Sequence, residues 1–185
     1  MDAHDMGSDL KEILVSEDDI TTRLDELAKA IDAYYAGDEV LMVGVLRGSA
    51  MVMADLARKL HTLITMDWMA VSSYGSGTKS SGVVRILKDL SEDICGRNVL
   101  IVEDIIDSGL TLSWLVQNLS SREPKDIKIM SMFRKPEAVR SMEVPVDWVG
   151  FDLPDEFVVG YGLDYAERYR NLPFVGTLAP HVYEK

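Results

Sequence analysis

The chain has 185 residues, 47% of them hydrophobic and 27% charged, proportions of an ordinary globular protein long enough to bury a sizeable core. Nineteen Lys and Arg against 31 Asp and Glu leave a formal charge of −12 and a pI near 4.6, so the surface field repels nucleic acid and anionic membranes. An anionic substrate therefore requires a locally cationic or metal-lined site.

The opening MDAHDMGSDLKEI has neither a basic start nor an apolar stretch and does not read as a signal peptide. No apolar run approaches the length of a membrane span. Ser16-Glu17-Asp18-Asp19 resembles a helix cap, and Ile20, Leu24, Leu27, Ile31 and Tyr34 recur at helical spacing before Gly37. EVLMVGVL (39–46) reads as a buried strand, RGS as a turn and AMVMADLARKL (50–60) as a helix. LITMDWMAV (63–71) is a second strand. After it comes SSYGSGTKSSG (72–82), a polar tract with too little apolar surface to order itself.

VVRILKDL (83–90) returns as a strand. Cys95, in DICGR, is the single cysteine; it forbids an internal disulfide, fits a reducing cytosol and sits in a turn context that suits an inert thiol. NVLIVEDI (98–105) is the next strand, DSGLT its turn, LSWLVQNLSS a short helix and IKIMSMF (127–133) a further strand. The alternation predicts an α/β fold with a mainly parallel twisted sheet flanked by helices. Beyond residue 145 the pattern breaks: aromatic strand-like pieces alternate with turns, as in a small appended lobe.

Residues 99–112, VLIVEDIIDSGLTL, combine two opposing features. A strand running into a Gly/Ser/Thr turn and a helix is a ready phosphate cradle, yet Glu103, Asp104 and Asp107 crowd it with acids at the strand's carboxyl end, where ligands of open α/β sheets sit. A division of labour reconciles them. Backbone N–H groups from Asp107 to Thr111, with the Ser108 and Thr111 hydroxyls, suit a phosphate, and adjacent carboxylates suit vicinal hydroxyls. The ligand they fit together is a sugar phosphate.

This segment resembles the phosphoribosyl-diphosphate signature of the type I phosphoribosyltransferases. The resemblance continues through VLRGSAMVMADL, VSSYGSGTKSSGVVRILKDL and FDLPDEFVVGYGLDYAERYRNLPFVGTL, and the last stretch is similar to the bacterial 6-oxopurine (hypoxanthine-guanine) branch. It implies one domain over residues 1–185, with a hood built from the N-terminal segment and roughly 146–185. It also implies transfer of the phosphoribosyl group from phosphoribosyl diphosphate to a 6-oxopurine, in a cytoplasmic homodimer or homotetramer, with Mg2+ and without nucleic-acid or membrane partners.

By the same resemblance Glu103 and Asp104 hold the ribose hydroxyls, and Asp107 is the base at purine N7. Ser108, Gly109, Leu110 and Thr111 form the phosphate turn. Arg47 and Gly48 belong to a diphosphate loop in which many relatives carry Lys and the Leu46–Arg47 peptide is often cis; Arg170 reaches the same diphosphate. Lys135 donates to the exocyclic purine oxygen, Phe157 stacks on the base, and Val158 meets its edge through the backbone. Asp164 also belongs to the purine site, where its backbone faces the 2-amino group; Glu103, Asp104 and Asp164 serve magnesium, and Ser73-Tyr74 fold over the diphosphate as part of a mobile lid over 72–82. The remainder of DYAERYR reads as a solvated helix face.

Rival readings are a dinucleotide-binding module, for which the glycine spacing of GVLRGS is wrong, and a non-catalytic RNA-binding regulator, for which the chain is too acidic. A xanthine- or guanine-preferring relative is the alternative within the enzyme class.

Overall fold

A short helix α1 (Ala3–Met6) and a 3-10 turn (Gly7–Asp9) lead into strand β1 (Leu10–Val15), which ends where the sequence supplies a helix cap. The structure, a computed structural model, describes residues 1–73, 84–136 and 145–183. Ser16 Oγ accepts from the Asp19 N–H at 3.1 Å and Asp19 Oδ2 accepts from the Ser16 N–H at 3.3 Å, a reciprocal box that starts α2 (Glu17–Tyr35). Ile20, Leu24, Leu27 and Ile31 are buried as their spacing requires. The last expected member of the stripe, Tyr34, is not: it is 49% exposed and Tyr35 is buried instead. The stripe can step by three or four residues at this point, and Tyr34 falls on the rim, edge-on to Trp148 and hydrogen-bonded to Asp126. Removing the cap with Ser16→Ala is expected to cost about 1 kcal/mol, lowering the thermal midpoint by roughly 2–4 °C with unchanged kcat; thermal unfolding followed by circular dichroism checks it.

Strand β2 (Val40–Leu46) lies inside a six-stranded sheet with α3 (Ala50–Ala57) after it. The other members are β3 (Ile64–Ser73), β4 (Val84–Lys88), β5 (Asn98–Ile106), β6 (Asp126–Arg134) and β7 (Trp148–Asp152), with α4 (Leu110–Ser120) between β5 and β6. The order is β4-β3-β2-β5-β6-β7. All pairings are parallel except β3 with β4. Both faces are covered, which is why β5 reads as an unbroken apolar run: Leu100 and Val102 pack with Leu24 and Leu56 on one side, Ile101 with Leu112 and Leu115 on the other.

Residues 148–152 belong to this central sheet, not to the smaller lobe in which the sequence reading put all of 146–185. WVGFD is a half-buried edge strand, so it shows neither the apolar run of an interior strand nor a clean alternation. Arg23 of α2 reaches across to it, donating to the carbonyls of Gly150 at 3.0 Å and Val149 at 2.9 Å. The smaller lobe is a three-stranded antiparallel sheet in the order β1-β9-β8, with β8 at Val158–Val159 and β9 at Val175–Leu178, followed by α5 (Pro180–Tyr183). Among the described residues no helix is long and apolar enough to cross a membrane.

Candidate active site

Parallel strands bring their carboxyl ends to one edge, so the loops after β2, β5 and β6 meet there. The loop after β2 opens with a cis peptide between Leu46 and Arg47 and is tied down by the buried Ser49 hydroxyl, which donates to the Val45 carbonyl at 2.7 Å. A Cβ on Gly48 would stand 1.6 Å from Asp104 Oδ2. From the other side Gly162, at φ +99°, closes on the Gly48 carbonyl so tightly that its own Cβ would lie 2.0 Å from that oxygen. Three segments distant in sequence are thereby packed backbone against side chain.

The end of β5 supplies the acids. Alternation along the strand sends neighbouring side chains to opposite faces, so Glu103 and Asp104 line different clefts. Glu103 shares a cleft of about 200 Å³ with Asp107, Ser108, Gly109 and Thr111. Asp104 shares one of about 260 Å³ with Asp107, Lys135, Phe157, Val158 and Asp164. Asp107 lines both. Burial, reinforced by the Asp104 charge, pushes the Glu103 carboxyl well above the usual range. Burial also raises Asp104 to about 6, against the opposing pull of the Ile105 N–H and the Arg170 charge.

Gly109, in the left-handed region at φ 71°, is the N-cap of α4 and brings no side chain to it. The first N–H groups of that helix have no intrahelical acceptor and open beside the Ser108–Thr111 turn; the Leu110 side chain is exposed. After β6, the Lys135 N–H donates to the Ile106 carbonyl at 3.0 Å. Its side chain, 12% exposed, places Nζ 3.7 Å from Asp107 and 3.5 Å from Asp155. Phe157 stands edge-on to Tyr165 and stacks on Tyr183, while Val158 is buried in β8.

Residues 164–170 are a run of tight turns, not the helix face expected from DYAERYR. Ala166, Glu167 and Tyr169 all have positive φ, which forbids a helix. Arg170 donates to the Gly162 carbonyl at 2.7 Å and pairs with Asp164 at 2.9 Å and Glu167 at 3.2 Å. Glu167 also accepts from Arg47 at 2.9 Å. Tyr161 donates to Asp55 of α3 at 2.7 Å. Glu167, Asp155 and the Tyr161–Asp55 bond were missed from sequence: Arg47, Lys135 and Asp55 lie 20 or more residues from them, and only Arg170, three residues after Glu167, was a local hint.

A family model of the phosphoribosyl transferase domain matches residues 14–166. The chain belongs to this family. It is 52% identical over 182 residues to a hypoxanthine-guanine phosphoribosyltransferase of Mycobacterium tuberculosis, covering 95% of this chain and 90% of that protein. The relative of the same name from Bacillus subtilis is 50% identical, covering 97% and 99%. A crystal structure of a hypoxanthine phosphoribosyltransferase from Staphylococcus aureus superimposes with a TM-score of 0.93 at 46% identity, covering 97% of each chain.

The phosphoribosyl transferase signature thus supplies the strand end, the acids and the phosphate turn of one edge. Its expected metal set is not preformed: among the described residues no three His, Cys, Asp or Glu side chains converge to hold an ion. Strand alternation separates Glu103 from Asp104, and Asp164 is paired with Arg170. That arrangement fits magnesium, which takes one or two carboxylates and completes its shell with water and substrate phosphates. A buried carboxyl raised to about 6, as Asp104 is, also gains from a cation beside it. β3 ends at Ser73; Tyr74 and the rest of the expected lid lie outside the described residues.

Proposed function

We propose that the chain catalyses purine salvage as a hypoxanthine-guanine phosphoribosyltransferase, joining a 6-oxopurine to C1 of phosphoribosyl diphosphate. The observation that carries this reading is Asp107, which lines both clefts, with Lys135 beside it in the second. The phosphate lies on the Ser108–Thr111 turn and the base in the cleft of Lys135, Phe157 and Val158, so the reacting carbon falls between them. Purine N9 forms the bond to C1 as the C1–diphosphate oxygen bond breaks, and the Asp107 carboxylate takes the N7 proton. Glu103 and Asp104 flank the ribose from two faces, where their oxygens accept from its hydroxyls, and the charge of Asp104, whose carboxyl is raised only to about 6, opposes the positive charge that develops on the ring. Arg47, the Gly48 backbone and Arg170 face the leaving diphosphate. Glu103, Asp104 and Asp164 are the residues that would hold magnesium, which when bound would supply charge neutralisation of that diphosphate.

Lys135 is a donor only, so it selects a 6-oxo group over the amino group of adenine. A lost charge-assisted hydrogen bond is worth about 1.5–3 kcal/mol. Lys135→Ala is therefore expected to raise the KM for hypoxanthine and guanine by roughly 10- to 100-fold, with phosphoribosyl diphosphate binding nearly intact. Steady-state kinetics with each substrate varied in turn checks it; unchanged purine kinetics removes Lys135 from the site. Assays with hypoxanthine, guanine, xanthine and adenine in turn test the assignment as a whole, and turnover confined to xanthine would replace it with the xanthine-preferring alternative. The 185 residues act as one domain, with the β1-β9-β8 sheet as the hood, in a cytoplasmic homodimer or homotetramer.

A further inference from the structure

The guanidinium groups of Arg47 and Arg170 are already engaged by an anion that belongs to the chain. One carboxylate oxygen, Glu167 Oε2, accepts from Arg47 Nη1 at 2.9 Å and from Arg170 Nη2 at 3.2 Å. The backbone that carries this carboxylate is pinned to the neighbouring acid, since the Glu167 N–H donates to Asp164 Oδ2 at 2.9 Å. Its backbone lies at φ 64°, next to Ala166 at φ 50°, a pair of conformations that non-glycine residues adopt at a cost and that concentrate at functional sites.

We propose that Glu167 is an internal counter-anion of the diphosphate subsite, which incoming diphosphate displaces from Arg47 and which re-forms that pair as diphosphate leaves. This rests on the assignment of Arg47 and Arg170 to diphosphate. Diphosphate carries more charge and more acceptor oxygens than a single carboxylate, and it wins the arginines by bidentate pairing. The two arginines do not respond alike. Arg170 retains the Gly162 carbonyl and Asp164 when Glu167 is displaced, so it stays oriented. Among the described residues the Arg47 side chain, 72% exposed, has Glu167 as its hydrogen-bond partner, so the displacement is chiefly an exchange of Arg47 from carboxylate to phosphate. Glu167 thereby weakens diphosphate binding and favours release of product.

The test is calorimetric titration of inorganic diphosphate with magnesium into the intact protein, its Glu167→Gln and Arg47→Ala variants, and the double variant. Exposed pairs are modest, so Glu167→Gln is expected to bind diphosphate about three- to fivefold tighter. The gain should shrink as salt rises and fall in the Arg47→Ala background, where Arg170 is the arginine that Glu167 still pairs. Arg47→Ala alone should bind more weakly. If Glu167→Gln binds no tighter while Arg47→Ala weakens binding, the counter-anion idea is overturned and the arginine assignment stands. If Arg47→Ala binds like the parent, the assignment of Arg47 fails and the proposal falls with it. Glu167→Asp, which keeps the charge on a shorter side chain unable to reach both arginines, should shift affinity in the same direction by less; it keeps the proposal falsifiable should the Gln variant not fold.

Discussion

Asp107→Asn is expected to lower kcat by about 10²–10⁴-fold, the usual cost of losing a general base, while phosphoribosyl diphosphate binds nearly as before. Asn keeps the shape of the side chain and its hydrogen-bonding capacity, but its amide does not take a proton from N7. The side chain is 64% exposed and the turn that follows is built from backbone, with Gly109 capping α4 without a side-chain contact, so the phosphate cradle survives the change. The Lys135 ammonium loses one of its two nearby carboxylates and keeps Asp155 at 3.5 Å, so the base cleft stays charged as well. Single-turnover kinetics beside equilibrium binding of phosphoribosyl diphosphate separates the two quantities. Normal turnover with lost affinity would make Asp107 a binding residue.

How far this site was legible depended on sequence separation. The β5 strand, the acids at its end and the turn into α4 lie within one contiguous stretch, and apolar periodicity plus turn chemistry brought them out together. The alternation of Glu103 and Asp104 into different clefts was also legible in principle from the period of a strand, but the two acids were read as one adjacent pair. Edge strand Trp148–Asp152 was not legible, because partial burial removes the apolar run that marks an interior strand. The small sheet joins β1 to β9 across nearly the whole chain, Leu10 pairing with Leu178, and no local pattern encodes such a pairing. The same holds for Glu167 and Arg47, 120 residues apart. Local propensity even misled there: DYAERYR has helical composition, but the contacts of Asp164, Glu167 and Arg170 fold it into turns.

Glycine packing leads to the second large effect. Gly48→Ala is expected to reduce kcat/KM for phosphoribosyl diphosphate by about 10²-fold or more, the scale on which a displacement of about 1 Å acts at a reacting centre. The new Cβ would stand 1.6 Å from Asp104 Oδ2 and 2.6 Å from its Cγ, so one of the two must move. The loop has no room to retreat toward the small lobe, where Gly162 already crowds the Gly48 carbonyl. Asp104 must swing away, leaving the face of the sugar that it is assigned to hold. Its displacement disturbs few apolar contacts, so the loss should appear in kinetics far more than in unfolding. Gly96→Ala is the matching control: Gly96 has φ +71° and nothing within 4 Å of a new Cβ, so it should cost on the order of 1–2 kcal/mol of stability through backbone strain alone and leave kcat/KM unchanged. Paired unfolding and steady-state measurements on the two variants decide the matter. A Gly48→Ala enzyme that merely loses stability, as Gly96→Ala does, would show that the contact between Gly48 and Asp104 is packing and not the spacing on which catalysis depends.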